Sequence, residues 1–130
     1  MKKYNRVKGY LAEKKVRDFF SKYFYIIPKG ISTKGVDIVA LNQNLIVLCE
    51  VKYFSNRVTI NKKQVENLFK EEKNLKKYFS LPILKLIVLS NNKEMRFILV
   101  DKIQSFSINK EGFNKLKELT YYNLLEYIKI

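Results

Sequence analysis

The segment GVDIVALNQNLIVLCEVK, Gly35 to Lys52, constrains this chain more than any other. Two apolar runs crowded with β-branched residues, Val36–Leu41 and Leu45–Val51, flank the polar turn Asn42-Gln43-Asn44. That pattern predicts a β-hairpin. Three charged residues interrupt it, Asp37, Glu50 and Lys52. Glu50 and Lys52 are two apart and project from one face of a strand, with Cys49 and Val51 on the other. Pairing Leu41 with Leu45 or Ile46 sets Asp37 opposite Cys49 or Glu50. A one-residue bulge adjusts the register so that both carboxylates and the ammonium converge on one spot.

Charge buried in a strand costs several kcal/mol unless it is paired or holds an ion. Two carboxylates and one lysine leave a negative excess that a divalent cation relieves, and carboxylate oxygens suit Mg²⁺ with several of its waters retained. Such a water is a source of attacking hydroxide, and Lys52 is placed to position it or to neutralise a transferring phosphate. The plainer reading is a structural ion-pair cluster at the end of a sheet. Glu-x-Lys alone is common in a lysine-rich chain. Set inside LIVLCEVK, with an aspartate on the neighbouring strand, it points to a metal site.

The partner follows from charge. Lys and Arg number 26 against 12 Asp and Glu, a net charge of +14. Such an excess favours a polyanion, nucleic acid or an anionic membrane. Genome bias or a hot habitat explains many lysines but not the shortage of acidic residues. The absence of histidine excludes His-based metal sites and Ser-His or Cys-His catalysis. Cys49, the single cysteine, cannot form an internal disulfide and is expected to pack as a small core residue, which fits a reducing compartment. At 130 residues, 47% of them hydrophobic, the chain suits one ordered domain over 1–130. It shows no apolar signal core, no run of membrane-spanning length, no repeats and no linkers. A soluble, cytoplasmic protein without a membrane partner is expected.

Along the chain, 1–8 reads as a basic arm, either frayed or touching phosphates. From about Val7 to Tyr23, Leu11, Ala12, Val16, Phe19, Phe20 and Tyr23 follow helical spacing. Arg6, Glu13 and Arg17 lie on its wet face, where Glu13 and Arg17, four apart, read as a surface ion pair. Tyr23–Ile27 is a short strand ended by Pro28-Lys29-Gly30. Ile31-Ser32-Thr33-Lys34-Gly35 follows as a loop whose hydroxyls and lysines suit phosphate contacts or ordinary loop duty. A brief strand at Val58–Ile60 precedes a helix capped by Asn61 and running to about Phe79, with Val65, Leu68, Phe69 and Leu75 on its apolar side and Gln64 in its first turn. Leu84–Ser90 reads as a fully buried strand, and Met95–Val100 as its neighbour across a turn. The next twenty or so residues are ambiguous by pattern. Thr120 caps a helical tail over about 120–129, with Tyr121, Leu124, Leu125 and Ile128 on one side. Helix, three strands, helix, two strands and a helical tail make an α/β fold, a mixed sheet flanked by helices.

Three segments, KGYLAEKKV at Lys8–Val16, IIPKGISTKGVDIVAL at Ile26–Leu41 and LIVLCEVKYF at Leu45–Phe54, carry a family resemblance. Over its first eighty or so residues the chain resembles the archaeal-type Holliday junction resolvases of the PD-(D/E)xK nuclease superfamily, in element order and motif. The resemblance implies a restriction-endonuclease-like fold, Mg²⁺ or Mn²⁺, a homodimer, and paired nicks across a four-way DNA junction. It matches Glu13 to an acidic site residue on the first helix, and Asp37, Glu50 and Lys52 to the metal-binding and catalytic core, with the Val51 carbonyl as a further metal ligand. Ser32 or Thr33 falls where the family has a loop serine near the scissile phosphate, and Gln64 where some members place a polar helix residue. Lys8, Lys29 and Lys34 are expected on the DNA backbone. Two departures stand out. Lys29 replaces an arginine and cannot make its bidentate phosphate contact. Lys77–Leu81 stands where a Gly-Gly usually follows the second helix.

Two other functions use the same residues: a restriction-like or repair endonuclease on the same core, and a non-catalytic nucleic-acid-binding protein with structural carboxylates. For a dimer, apolar surface is expected around Val65, Leu68 and Phe69, or around Tyr121, Leu124 and Ile128 unless the tail packs on its own sheet.

Overall fold

The structure, a computed structural model, describes residues 2–28 and 35–128, with side chains from residue 7 onward. The first helix, α1, spans Lys2–Ser21. It starts well before the expected Val7, so the basic segment forms its first turns rather than an arm. Phe24 follows it into the core, and a two-residue strand β1, Tyr25–Ile26, leads to the hairpin β2, Ile38–Leu41, and β3, Ile46–Tyr53. Asn42 closes the hairpin turn, its Oδ1 accepting the backbone N–H groups of Asn44 at 2.8 Å and Leu45 at 3.0 Å.

The hairpin is in register from Leu41–Ile46 to Ile38–Cys49. Extending that register by one residue sets Asp37 against Glu50, so the two carboxylates meet without the bulge that the sequence suggested. β3 then pairs in parallel with β5, Ile83–Ser90, over its whole length, from Ile46–Ile83 to Tyr53–Ser90. A parallel pair needs a long crossover. Here it is made by β4, Arg57–Ile60, and α2, Lys62–Leu75. β6, Met95–Leu99, and the two-residue β8, Lys117–Glu118, complete a six-stranded sheet in the order β1-β2-β3-β5-β6-β8.

The ambiguous stretch contains β7, Phe106–Asn109, and α3, Lys110–Asn114. β7 pairs with β4 in a separate two-stranded sheet, so the brief strand before α2 is not part of the main sheet. Thr120 caps α4 as expected, although the helix ends early, at Tyr121–Leu125.

Two cores sandwich the sheet. Val16 and Phe20 of α1 and Leu124 of α4 pack with Val47, Cys49, Leu86 and Val88 on one face. Val65, Leu68 and Leu75 of α2 pack with Ile46, Leu48, Ile87 and Leu89 on the other. Much of the apolar surface expected at a dimer contact is therefore used within the chain, with Phe69, Tyr121 and Ile128 left half-buried. Val65, Leu68 and Leu124 are fully buried. Phe69 lies against the α2-side core under the Lys85 ammonium. Tyr121 stacks on Tyr23 with ring centroids 4.9 Å apart.

α2 begins where a strand must stop, and Asn61 makes that switch. Its side chain accepts the Gln64 N–H at 2.9 Å, and Gln64 Oε1 accepts the Asn61 N–H at 3.2 Å. This reciprocal box satisfies two amides that a helix start otherwise leaves unpaired. Asn61→Ala is expected to cost about 1 kcal/mol, read from a urea melt. Unchanged stability would mean that tertiary packing alone sets the helix start.

Candidate active site

The Asp37–Glu50–Lys52 cluster lies at the carboxyl end of β3. Strand alternation turns Ile46, Leu48, Glu50 and Lys52 to the α2 side, and Val47, Cys49, Val51 and Tyr53 to the α1 side. Just before β2, Asp37 is held by its Oδ2, which accepts the Val51 backbone N–H at 2.8 Å. Gly35 sets up this approach. Its φ is +86°, and a Cβ there would sit 2.7 Å from Asn67 Nδ2 on α2. A side chain at 35 would be strained in backbone and crowded by the helix.

Glu50 is 4% exposed, and among the described residues its Oε1 has no hydrogen-bond partner. Its carboxyl is pushed up to about 8, first by burial and next by the neighbouring Asp37 charge. Lys52 and a hydrogen bond with the Asp37 backbone oppose the rise, and Glu13 adds to it. The same field reaches Cys49. Burial, then Asp37 and Glu50, lift its thiol well above the ordinary value. Cys49 is thus a protonated core residue, not a nucleophile.

Four of the expected site residues therefore share one electrostatic neighbourhood: Glu13, Asp37, Glu50 and Lys52. Glu13 also makes the ion pair read from its spacing, its Oε2 accepting from Arg17 at 2.7 Å. The surface-pair and site readings of Glu13 are compatible. Gln64 is engaged locally in the helix cap. Lys8 lies on the α1 side, its ammonium 5.0 Å from the centre of the Tyr53 ring. Lys29, Ser32, Thr33 and Lys34 lie outside the described residues.

Among the described residues, no three acidic or cysteine side chains gather where one ion could hold them all. The donor set still fits Mg²⁺ or Mn²⁺. Mg²⁺ is commonly held by one or two carboxylates, with waters and substrate oxygens completing its shell. A buried carboxylate with an unpartnered oxygen, crowded by a second carboxylate, is what a hard cation relieves.

Among the described residues, two further buried oxygens escaped the sequence reading, Glu71 Oε1 and Ser90 Oγ, neither with a hydrogen-bond partner there. The signal for Glu71 was available. It lies three residues after Leu68 and four before Leu75, on the buried stripe of α2. Ser90 ends β5 opposite Tyr53, directly after the apolar run Leu86–Leu89, where nothing in the pattern marks it.

No protein-family model matches the chain, and no curated protein matches it in sequence. Among solved structures it is similar to Hjc, a Holliday junction resolvase from the archaeal hyperthermophile Archaeoglobus fulgidus. The TM-score is 0.68 at 17% sequence identity, over 95% of this chain and 99% of that one. The likeness is one of fold. The six-stranded mixed sheet flanked by helices is the architecture that the motif resemblance implied.

Proposed function

We propose that this chain is a metal-dependent DNA endonuclease that cuts four-way junctions by paired symmetric nicks, acting as a homodimer. The observation that carries the reading is Glu50: a buried carboxylate with an unpartnered oxygen, beside Asp37 and Lys52, on a fold like that of a junction resolvase. Asp37, Glu50 and the Val51 carbonyl would hold Mg²⁺ or Mn²⁺. The chemistry such an ion supplies when bound is polarisation of a phosphodiester oxygen and acidification of a water.

The protein's own groups do the rest. The Val51 N–H fixes Asp37, so its carboxylate is in place before substrate arrives. Lys52 sets a positive charge beside Glu50, where charge would develop on the phosphate. Glu13 orients a water at the edge of the site. Lys8, Lys29 and Lys34 track the DNA backbone, with Ser32 or Thr33 near the scissile phosphate and Gln64 beside it. A junction is resolved only when two strands of like polarity are cut at matching positions, and a two-fold dimer supplies two equivalent sites for this. A DNA substrate places the work inside a cell. Among the described residues no helix is long and apolar enough to cross a membrane.

The test is cleavage of a four-way junction and of a linear duplex, with and without Mg²⁺, alongside sedimentation equilibrium without DNA. Paired, metal-dependent nicks at the junction by a dimer are expected. Equal cutting of linear DNA would point to another nuclease, and no cutting of either would leave only binding. Affinity should also follow salt. With a net charge of +14, log affinity is expected to fall linearly with log salt concentration. A slope of about −4 or steeper corresponds to several phosphates contacted. A flat response in a binding titration would mean that the lysines do not face DNA.

A further inference from the structure

The chemistry at Glu50 leaves unused a groove of about 410 Å³ on the opposite, α1 side of the sheet. It opens where the parallel strands β3 and β5 end, beyond their last rung, Tyr53–Ser90. The carboxyl ends of parallel strands are where open α/β sheets bind ligands. Tyr53, which lines the groove, follows Lys52 directly, and Ala12, which also lines it, precedes Glu13. Groove and reaction centre are thus adjacent along both β3 and α1 while opening to different faces.

Its lining has a mixed character. Val7 and Leu11 contribute apolar wall and are each about half exposed, at 51% and 54%. The Tyr53 ring lies beneath the Lys8 ammonium at 5.0 Å. Lys15 is fixed by donating to the Asn91 carbonyl at 2.8 Å, and Asn92 adds an exposed amide. A protein partner is a poor match, because lysine is depleted at the cores of protein interfaces. A bare phosphate would leave the ring and apolar walls idle. An aromatic plane with apolar walls, two ammonium groups and an amide suits a nucleotide, base and phosphate together.

In duplex DNA every base is stacked and none can enter. At the branch point of a four-way junction the stack is interrupted, and extruding a base there costs least. Resting on the nuclease reading above, we infer that the groove takes one unstacked branch-point nucleotide, its base against Tyr53 and its phosphate on Lys8 and Lys15, and so distinguishes a junction from a duplex.

The experiment uses the full chain without divalent ions, a four-way junction carrying 2-aminopurine at a branch-point position, and a linear duplex of the same arm sequence. Tyr53→Ala is expected to lose about tenfold in junction affinity, as for one lost base stack, with duplex affinity unchanged. Tyr53→Phe keeps the ring and should bind both DNAs like wild type. The 2-aminopurine emission should change on binding wild type and Tyr53→Phe, and stay flat with Tyr53→Ala. Should Tyr53→Ala prove unfolded by circular dichroism, Lys15→Gln decides, with a severalfold loss expected on the junction alone. Equal losses on junction and duplex, or wild-type behaviour in every variant, overturn the inference. So does a dimer that Tyr53→Ala dissociates without DNA, which would make the groove a subunit contact. If wild type cuts the junction with Mg²⁺ yet the probe stays silent, the groove inference fails and the nuclease reading stands. If wild type neither binds nor cuts the junction, both fail.

Discussion

Asp37→Asn and Glu50→Gln are each expected to lower metal-dependent junction cleavage by about a thousandfold or more, a loss near 4 kcal/mol of transition-state stabilisation. Junction binding without metal should stay within about twofold of wild type, because on the proposed reading affinity would rest on the lysines. Both substitutions are nearly isosteric, so the hairpin register and the core around it should persist. In the first variant the amide that replaces the Asp37 carboxylate still offers a carbonyl oxygen to the Val51 N–H, which Asp37 Oδ2 accepts in the native chain. What is removed is the charge that, on the proposed reading, would draw a cation to this end of β3. Single-turnover cleavage with saturating enzyme separates the two effects. Either variant cutting at the wild-type rate would remove the nuclease assignment from this cluster.

The second large effect concerns stability without metal. A glutamate in an unfolded chain titrates near 4.5, whereas the fold pushes Glu50 up to about 8. Between those values the folded protein holds a proton that the unfolded chain has released. Stability should therefore fall as pH rises from about 4.5 to about 8, then level off. At pH 7 the contribution is on the order of 3 kcal/mol. Glutamine has no proton to lose, so Glu50→Gln should be the more stable protein at neutral pH. The gap should be small near pH 5 and widest above pH 8. Urea melts at several pH values in a chelator measure it. Adding Mg²⁺ should then stabilise wild type and leave Glu50→Gln nearly unmoved, because an ion that binds only the folded state stabilises it by mass action. A gap that ignores pH, together with equal metal stabilisation of both proteins, would mean that Glu50 is neither strained nor a ligand.

Much of this site was legible in the sequence because it is local. Asp37 and Glu50 face each other across one hairpin, and the polar turn at Asn42 sets which residues pair. The cap at Asn61 and the apolar run of β5 were readable for the same reason. The elements that pattern left ambiguous are short and depend on distant partners. β7 has four residues and pairs with β4, about fifty positions earlier, while β8, the edge strand of the main sheet, has two and pairs with β6. No local periodicity can specify such pairings. Glu71 is absent from the apolar side read for α2 because its residue type outweighs its position on that stripe. The groove at Tyr53 was invisible for a different reason. It is assembled from α1, the end of β3 and the turn after β5, segments that only the fold brings together.

The parallel pairing of β3 with β5 bears on the order in which this molecule is made. The hairpin that carries Asp37 and Glu50 closes through a short turn, an inexpensive event early in folding. Its partner β5 arrives only after β4 and α2 have been threaded across, and non-local parallel contacts of this kind form slowly. Until then the α2 side of β3 is open to water, and Glu50 can keep its charge. The residues of the reaction centre are therefore side by side before the environment that perturbs them exists. Docking of β5 and α2 is expected to drive a proton onto Glu50 in the ion-free chain near neutral pH. On the proposed metal-dependent reading, a divalent cation would instead be captured as the crossover closes, so that folding and loading would become one event.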